Sequence, residues 1–252
     1  MHGLRRLPPL LSGAGRLVGV PNYAMIARAL AILFLLTIPH LVSATEQPPI
    51  NDWKIIPGKR VGPITRNTSE ERLRHLFSHQ NVRREDIPIG EGEVKPGTVI
   101  FPFSDNRLAI LWEDDKTRER PKEIRLNGNR SAWKTDKGIA LGMTLKQLEK
   151  LNSRPFYLMG FAWDYGGTIV DCNRGRLQEL GCTDPEDRTK KLKGRTILLR
   201  LAPDRHGNHI SEADKIYVAV MGEKEFSSSH PSMQKLNPKV YEMIVYFDSD
   251  TR

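Results

Sequence analysis

This sequence of 252 residues lacks the short motifs that identify several common enzyme classes. It contains no Gly-x-Ser-x-Gly nucleophile elbow, no His-Glu-x-x-His zinc motif, no P-loop and no dinucleotide-binding fingerprint. No free thiol is expected to act as a nucleophile, because the cysteines are expected to pair with each other. These absences make an enzyme the less favoured interpretation without excluding one.

Cysteine is also scarce, since Cys172 and Cys182 are the only two in the chain. Their C-x9-C spacing is neither that of a zinc site nor that of a redox-active C-x-x-C motif. In an oxidising compartment, an isolated pair this close in sequence is typical of a single disulfide. We therefore predict a Cys172–Cys182 disulfide, which stabilises the fold by roughly 2–3 kcal/mol on the chain-entropy model.

The chain has no apolar run long enough for a membrane span of roughly 20 residues, because Pro39 and His40 interrupt the longest one, residues 29–42. Residues 1–44 contain four arginines and no acidic residue, and they end in a small-x-small cleavage pattern. We predict that they form a signal peptide removed near Ala44, which places the protein in the periplasm or outside the cell. An uncleaved anchor and a start at Met25 are the alternatives.

The positive charge of the chain does not indicate a nucleic-acid partner. Removing residues 1–44 lowers the formal net charge from +9 to +5, so much of the excess belongs to the predicted signal peptide. The basic run at 190–195 has no interleaved aromatic residues to stack on bases, and we interpret it as a solvated loop. An anionic envelope polymer is the alternative partner for the basic surface.

Two segments 75 residues apart, 64–78 and 139–153, share one pattern. Each predicts a short capped helix, with Ser69 or Thr68 as the cap of the first and a Thr144-x-x-Gln147 capping box in the second. Asn67 is aligned with Gly142, and both residue types tolerate a left-handed turn. Identical residues occur at four aligned pairs of positions: Ile64 and Ile139, Leu73 and Leu148, Leu76 and Leu151, Ser78 and Ser153.

Strand signals follow each predicted helix, which indicates an α+β fold with two pseudo-repeats of a short helix followed by antiparallel strands. The predicted strands are 98–101, 108–112, 121–126, 156–161, 168–170, 196–201, 215–220 and 240–247, with a short helix from Pro231 to residue 236. The predicted organisation is a signal peptide (1–44), an extended lead-in (45–58), two repeats (59–130 and 131–202) and a C-terminal strand-helix-strand extension of the second unit (203–252).

A short helix entered through Gly142-Met143-Thr144 and followed by an antiparallel sheet resembles the units of the beta-lactamase-inhibitor-protein-like group. It is also similar to the small outer-membrane assembly lipoproteins of the SmpA/OmlA group. Ile139 and the Leu148/Leu151 pair carry the resemblance, and 64–78 is the degenerate copy. The chain departs from the lipoproteins because it lacks a lipid-acceptor cysteine, and from the inhibitors by its single predicted disulfide and C-terminal extension. The resemblance implies a protein that binds other proteins.

Histidines and acidic residues suggest three weak sites. His75 and His79 are four residues apart on the first predicted helix, with Glu71 one turn earlier, but exposed helix histidines are far commoner than zinc ligands. The stretch 204–209 looks like a calcium loop, yet Lys215 stands where the closing Glu is required. Glu91 and Glu93 flank Gly92 and could be paired carboxylates of a glycosidase-like site, but nothing in the sequence places a partner acid near them. We therefore predict no metal, no cofactor and no catalytic residue.

The best candidate for function is the turn that contains Trp163, Asp164 and Tyr165. Two large aromatic side chains flank a carboxylate on a Gly-rich turn, which is the composition of a binding hot spot. The alternative is that Trp163 packs inward beneath its own hairpin. We predict a non-catalytic exported protein that binds another protein or an envelope component through its strand-connecting loops. An envelope hydrolase that acts on glycan or peptide is the alternative.

Overall fold

The computed structural model describes residues 52–128, 130–180, 182, 196–203 and 215–247, which all belong to one compact unit. The predicted signal peptide, the basic run 190–195 and the loop 204–209 lie outside the described residues. The architecture is α+β and consists mostly of strands, as predicted. Within the described ranges, no helix has the length and apolar character needed to cross a membrane.

The described residues form four α-helices and thirteen strands, with further 3-10 turns at His79–Asn81 and Arg176–Leu180. The helices are α1 (Glu70–Phe77), α2 (Leu145–Asn152), α3 (Lys215–Val218) and α4 (Pro231–Leu236). The strands are β1 (Lys54–Ile56), β2 (Arg60–Val61), β3 (Ile64–Thr65), β4 (Val82–Gly90), β5 (Glu93–Ile100), β6 (Leu108–Trp112), β7 (Pro121–Asn127), β8 (Lys134–Thr135), β9 (Tyr157–Met159), β10 (Ile169–Asp171), β11 (Ile197–Ala202), β12 (Glu225–Ser227) and β13 (Lys239–Tyr246).

The largest sheet has six antiparallel strands in the order β11-β13-β7-β6-β5-β4. β4 to β7 form a meander, and β13 lies between β7 and β11. Strands from both predicted repeats and from the C-terminal segment therefore belong to one sheet. Two smaller sheets have the orders β3-β2-β1-β8 and β10-β9-β12.

Both faces of the large sheet bury apolar side chains, because successive residues of a strand point to opposite faces. On the inner face, Leu108, Ile110 and Trp112 of β6 join the main core with the helices. On the outer face, Ala109 and Leu111 pack in a smaller cluster with Ile87 and Val99 of the β4–β5 hairpin. That hairpin also reaches a central strand, since the Pro88 carbonyl accepts a 3.0 Å hydrogen bond from Arg125 of β7.

One strand prediction is wrong, and the structure decides between the two predicted caps of the first helix. Residues 215–220 were expected to form a strand because of their apolar and β-branched content, but Lys215–Val218 is a helical turn. At the first helix, the cap is Ser69, whose hydroxyl accepts from the Arg72 N–H at 3.1 Å. The Thr68 hydroxyl is not available for capping, because it accepts from the Thr65 N–H at 2.9 Å instead.

The predicted disulfide between Cys172 and Cys182 is confirmed, with Cα atoms 5.6 Å apart. Asn152, the last residue of α2, connects the helix to this region. Its buried side-chain amide donates to the Cys172 carbonyl at 2.9 Å and accepts from the Leu177 N–H at 3.0 Å. The disulfide and the second helix are therefore parts of one buried assembly, in which the polar groups of Asn152 are paired.

Candidate functional site

The predicted Trp163, Asp164 and Tyr165 lie in the connection between β9 and β10, which we call the aromatic loop (residues 161–167). Phe161 anchors its beginning, because its N–H donates to the Val220 carbonyl and its carbonyl accepts from Gly222, both at 2.9 Å. Gly167 fixes its end at a positive φ of 72°, where a Cβ would overlap the Leu201 carbonyl. Both ends of the loop are therefore attached to neighbouring segments.

The three predicted side chains differ in burial. Trp163 is half-buried, and its indole N–H donates to the Gly160 carbonyl at 2.9 Å. Asp164 is exposed, and Tyr165 is 40% exposed. The Trp163 and Tyr165 rings meet edge to face, with centroids 5.4 Å apart. The indole is thus neither a fully buried core residue nor a free surface side chain, while its two neighbours lie on the surface.

The tip of the β4–β5 hairpin holds the aromatic loop from outside. Glu91 donates its backbone N–H to Asp164 Oδ2 at 2.7 Å, and its carboxylate accepts from the Tyr165 hydroxyl at 3.0 Å. The hydrogen bond to Glu91, together with that carboxylate's charge, raises the pKa of Tyr165 above its ordinary value of 10.0. Glu91 therefore positions the loop, a role that its pairing with Glu93 in the sequence did not suggest.

A buried arginine supports the loop from below. The Arg200 guanidinium carbon lies 5.6 Å from the centroid of the Tyr165 ring, and the same guanidinium donates to Glu242 at 3.0 Å. Glu242 lies 4.0 Å from Arg125, which also donates to Glu123 at 2.7 Å. Alternating charges therefore cross the outer face of the sheet beneath the loop. Sequence reasoning missed them, although a lone arginine within the apolar stretch Ile197–Ala202 was a usable signal.

Beside the loop is a cleft of about 430 Å³, which we call the aromatic cleft. Phe161 and Trp163 line one wall, and Tyr217 of α3 and Tyr241 of β13 line the other parts together with the end of β11. Asp164 is the one charged residue among its described lining residues. Neither Glu91 nor Glu93 lines this cleft.

A β-bulge places Tyr241 in the cleft. Glu242 pairs with Arg200, and Val240 pairs with Leu201, so Tyr241 has no partner of its own on β11. Burial raises the pKa of the Tyr241 hydroxyl, the charge of Glu242 adds to that effect, and Arg200 opposes it.

The structure does not place the predicted pair His75 and His79 on one helix. α1 ends at Phe77, and Ser78 has a positive φ of 68°, so His79 begins a separate 3-10 turn. His75 lies 4.0 Å from Glu71, and both side chains are largely exposed. Among the described residues, no three histidine, cysteine or acidic side chains converge in a way that would hold a metal ion.

No family model, no curated protein and no solved structure matches the chain.

Proposed function

We propose that the protein is an exported, non-catalytic binding protein that contacts its partner through Trp163, Asp164 and Tyr165 of the aromatic loop. The partner is another protein or an envelope component. No cofactor and no nucleic acid takes part in this function.

The observation that carries the proposal is the way in which the loop is held. Tyr165 and Asp164 are exposed, yet both are hydrogen-bonded to Glu91, which is more than 70 residues away in sequence. Arg200 restrains the ring of Tyr165 from the opposite side. Side chains that are already ordered lose less conformational entropy when they bind, so a fixed and exposed aromatic loop favours binding.

An extracytoplasmic location agrees with two features. The Cys172–Cys182 disulfide is typical of oxidising compartments, because cytosolic reductants keep thiols reduced. Residues 1–44 have the composition of a signal peptide. A protein in that location meets other envelope proteins and envelope polymers, which are the two partner classes of the proposal.

The test compares two tyrosines of similar exposure. Tyr165 is 40% exposed and Tyr157 on β9 is 37% exposed, so each substitution by alanine removes a comparable exposed ring. The mature protein is immobilised and incubated with an envelope extract, and the retained components are identified by mass spectrometry. We expect Tyr165→Ala to abolish retention of the component that the wild type captures, whereas Tyr157→Ala retains it.

Thermal unfolding of both variants separates binding from folding. Tyr165→Ala removes the hydrogen bond to Glu91, the cation–π contact with Arg200 and the edge-to-face contact with Trp163, all at a partly exposed ring, so we expect only a small fall in its melting temperature. Equal capture by the two variants would contradict the proposal. A large fall in the melting temperature of Tyr165→Ala alone would instead assign the ring a structural role.

A further inference from the structure

The charge of the aromatic cleft is opposite to that of the protein as a whole. The chain carries a formal net charge of +9, but the one charged side chain among the described lining residues of the cleft is the carboxylate of Asp164. Glu91 lies immediately behind the loop that forms one wall of the cleft. The surroundings of the cleft therefore favour a positively charged ligand.

Arg200 is a basic residue behind these walls, and its charge is paired with that of Glu242. Its side chain is 11% exposed, and its guanidinium donates to Glu242 at 3.0 Å and lies beneath the Tyr165 ring. It does not line the cleft. An anionic ligand would consequently meet Asp164 without meeting a basic side chain among the described lining residues.

Four of the other described lining residues are aromatic: Phe161, Trp163, Tyr217 and Tyr241. Phe161 and Tyr217 are buried, and their rings stack with centroids 5.9 Å apart and planes within 8°. Trp163 and Tyr241 are half-buried, so part of each ring remains accessible. Aromatic faces attract cations through the ring quadrupole, and tryptophan does so most strongly.

Asp164 has one carboxylate oxygen left for a ligand. Its Oδ2 accepts the Glu91 N–H at 2.7 Å, which fixes the orientation of the side chain. Within the described residues, no hydrogen bond to Oδ1 is present. A carboxylate held beside aromatic faces is the combination that recognises organic ammonium groups.

We propose that the aromatic cleft binds an organic ammonium group, with Asp164 as the counter-charge and Trp163 and Tyr241 as the aromatic walls. This inference rests on the proposed binding function of the same loop and specifies its ligand chemistry. Two sources supply the required group: a quaternary ammonium head group and the side chain of lysine.

The first experiment separates charge from shape. The mature protein is titrated with choline and with 3,3-dimethylbutan-1-ol, which has the same shape as choline but no charge, and binding is followed by calorimetry. We expect choline to bind at least about 10-fold more tightly than the alcohol, which is within the range of cation–π interactions. Equal affinities, or no binding of choline up to about 50 mM, would overturn the inference.

The variants assign the interaction to the cleft. Asp164→Asn keeps an oxygen that accepts the Glu91 N–H, so it removes the charge and preserves the support of the loop. We expect it to weaken choline binding at least 5-fold and to leave the affinity for the alcohol unchanged. Asp115→Asn, an exposed aspartate outside the cleft, is the matched control and should bind choline like the wild type. An unchanged affinity in Asp164→Asn would also overturn the inference.

Titration with Nα-acetyl-lysine amide, which keeps the charged side-chain ammonium of lysine, identifies the source of the ammonium group. Tighter binding of choline assigns a quaternary head group, and tighter binding of acetyl-lysine amide assigns a lysine of a protein partner. The proposed function has its own test, the capture experiment with Tyr165→Ala, so it can be rejected independently of this inference. If the protein captures its partner through the loop but binds choline no more tightly than the alcohol, the proposed function stands and this inference is rejected.

Discussion

The helices α1 and α2, which lie in the aligned segments 64–78 and 139–153, have the same burial pattern but bury different side chains. The eight residues of α1 and the eight of α2 follow the same order of buried, half-buried and exposed positions. Their caps are also alike, with φ and ψ of −78° and 163° at Ser69 and of −80° and 158° at Thr144. This similarity is what a copied module would retain, and the duplication itself remains our proposal.

The first helical position shows the difference. Glu70 and Leu145 are aligned, both are buried, and both donate their backbone N–H to a distant carbonyl, that of Arg118 or Pro238. The Glu70 carboxylate lies 2.6 Å from Arg74, 2.9 Å from Arg84 and 3.3 Å from Arg118. Leu145 packs in the apolar core instead. The backbone therefore determines which position is buried, and the neighbours determine which chemistry is stable there.

Replacing each of these two residues by the other should have the largest effect on stability. Leu145→Glu places a carboxylate in an apolar core without a cationic partner, and we expect it to destabilise the fold by more than about 4 kcal/mol. Glu70→Leu leaves the surrounding arginines without their shared carboxylate, and we expect a loss of about 2–3 kcal/mol. Urea unfolding of both variants measures these values. Equal losses would show that the two positions have equivalent surroundings.

The aligned buried leucines of α1 and α2 should have equal effects on stability when they are truncated. Leu73 and Leu148 are aligned, and both are fully buried in the main core. We expect Leu73→Ala and Leu148→Ala each to lower the free energy of unfolding by about 3 kcal/mol, because each leaves a cavity of similar size. Denaturant unfolding compares the two directly. A difference of more than about 2 kcal/mol would break the similarity of the two segments at its strongest point.

Acid should affect the first segment more than the second. Burial raises the pKa of Glu70, but the hydrogen bonds from Arg74 and Arg84 and their charges outweigh it, so the pKa falls below its ordinary value of 4.5. A carboxyl group whose pKa is lowered by folding stabilises the protein above that ordinary value, and this contribution disappears as the pH falls through the folded pKa. We expect Glu70→Gln to lose stability less steeply than the wild type below pH 4.5. Parallel curves of unfolding free energy against pH would contradict this assignment.

Removal of the helix caps should give the smallest difference in stability between the two segments. Ser69 makes one capping hydrogen bond, to the Arg72 N–H, whereas Thr144 and Gln147 make the two reciprocal bonds of a capping box. We expect Ser69→Ala to cost about 1 kcal/mol and the double variant Thr144→Ala/Gln147→Ala, which removes both bonds of the box, to cost slightly more. Thermal unfolding of the two variants, with exposed Lys146→Ala as the control, measures the order. The reverse order would mean that the reciprocal bond of Gln147 adds no stability.

Features with a local cause were predictable from the sequence. The capping box at Thr144 and the helix that begins at Pro231 are confirmed, because each depends on residues within one helical turn. Gly142 adopts a φ of +84°, but its aligned partner Asn67 is not among the residues with positive φ. In the first segment, the turn before α1 is instead closed by the Thr68 hydroxyl, which accepts a hydrogen bond from the Thr65 N–H.

Features with a distant cause were not predictable. β4 was not predicted, because the consecutive charged residues Arg83, Arg84, Glu85 and Asp86 obscure its strand pattern. β4 is an edge strand of the large sheet, and charges and proline are common at that position. At the candidate site, the sequence indicated the aromatic loop but not its support by Glu91 and Arg200. No local pattern connects residues so far apart, so only the folded sheet shows that they meet.

The position of β13 has a consequence for the order in which the protein is made. A chain that emerges from the ribosome N-terminus first has β4 to β7 and β11 available before β13 appears. β4 to β7 have ladders of their own, but β11 has no partner in this sheet until β13 pairs with it, so the six-stranded sheet closes only after Lys239–Tyr246 has been synthesised. The completion of the sheet therefore depends on a strand that is made after all of its other members.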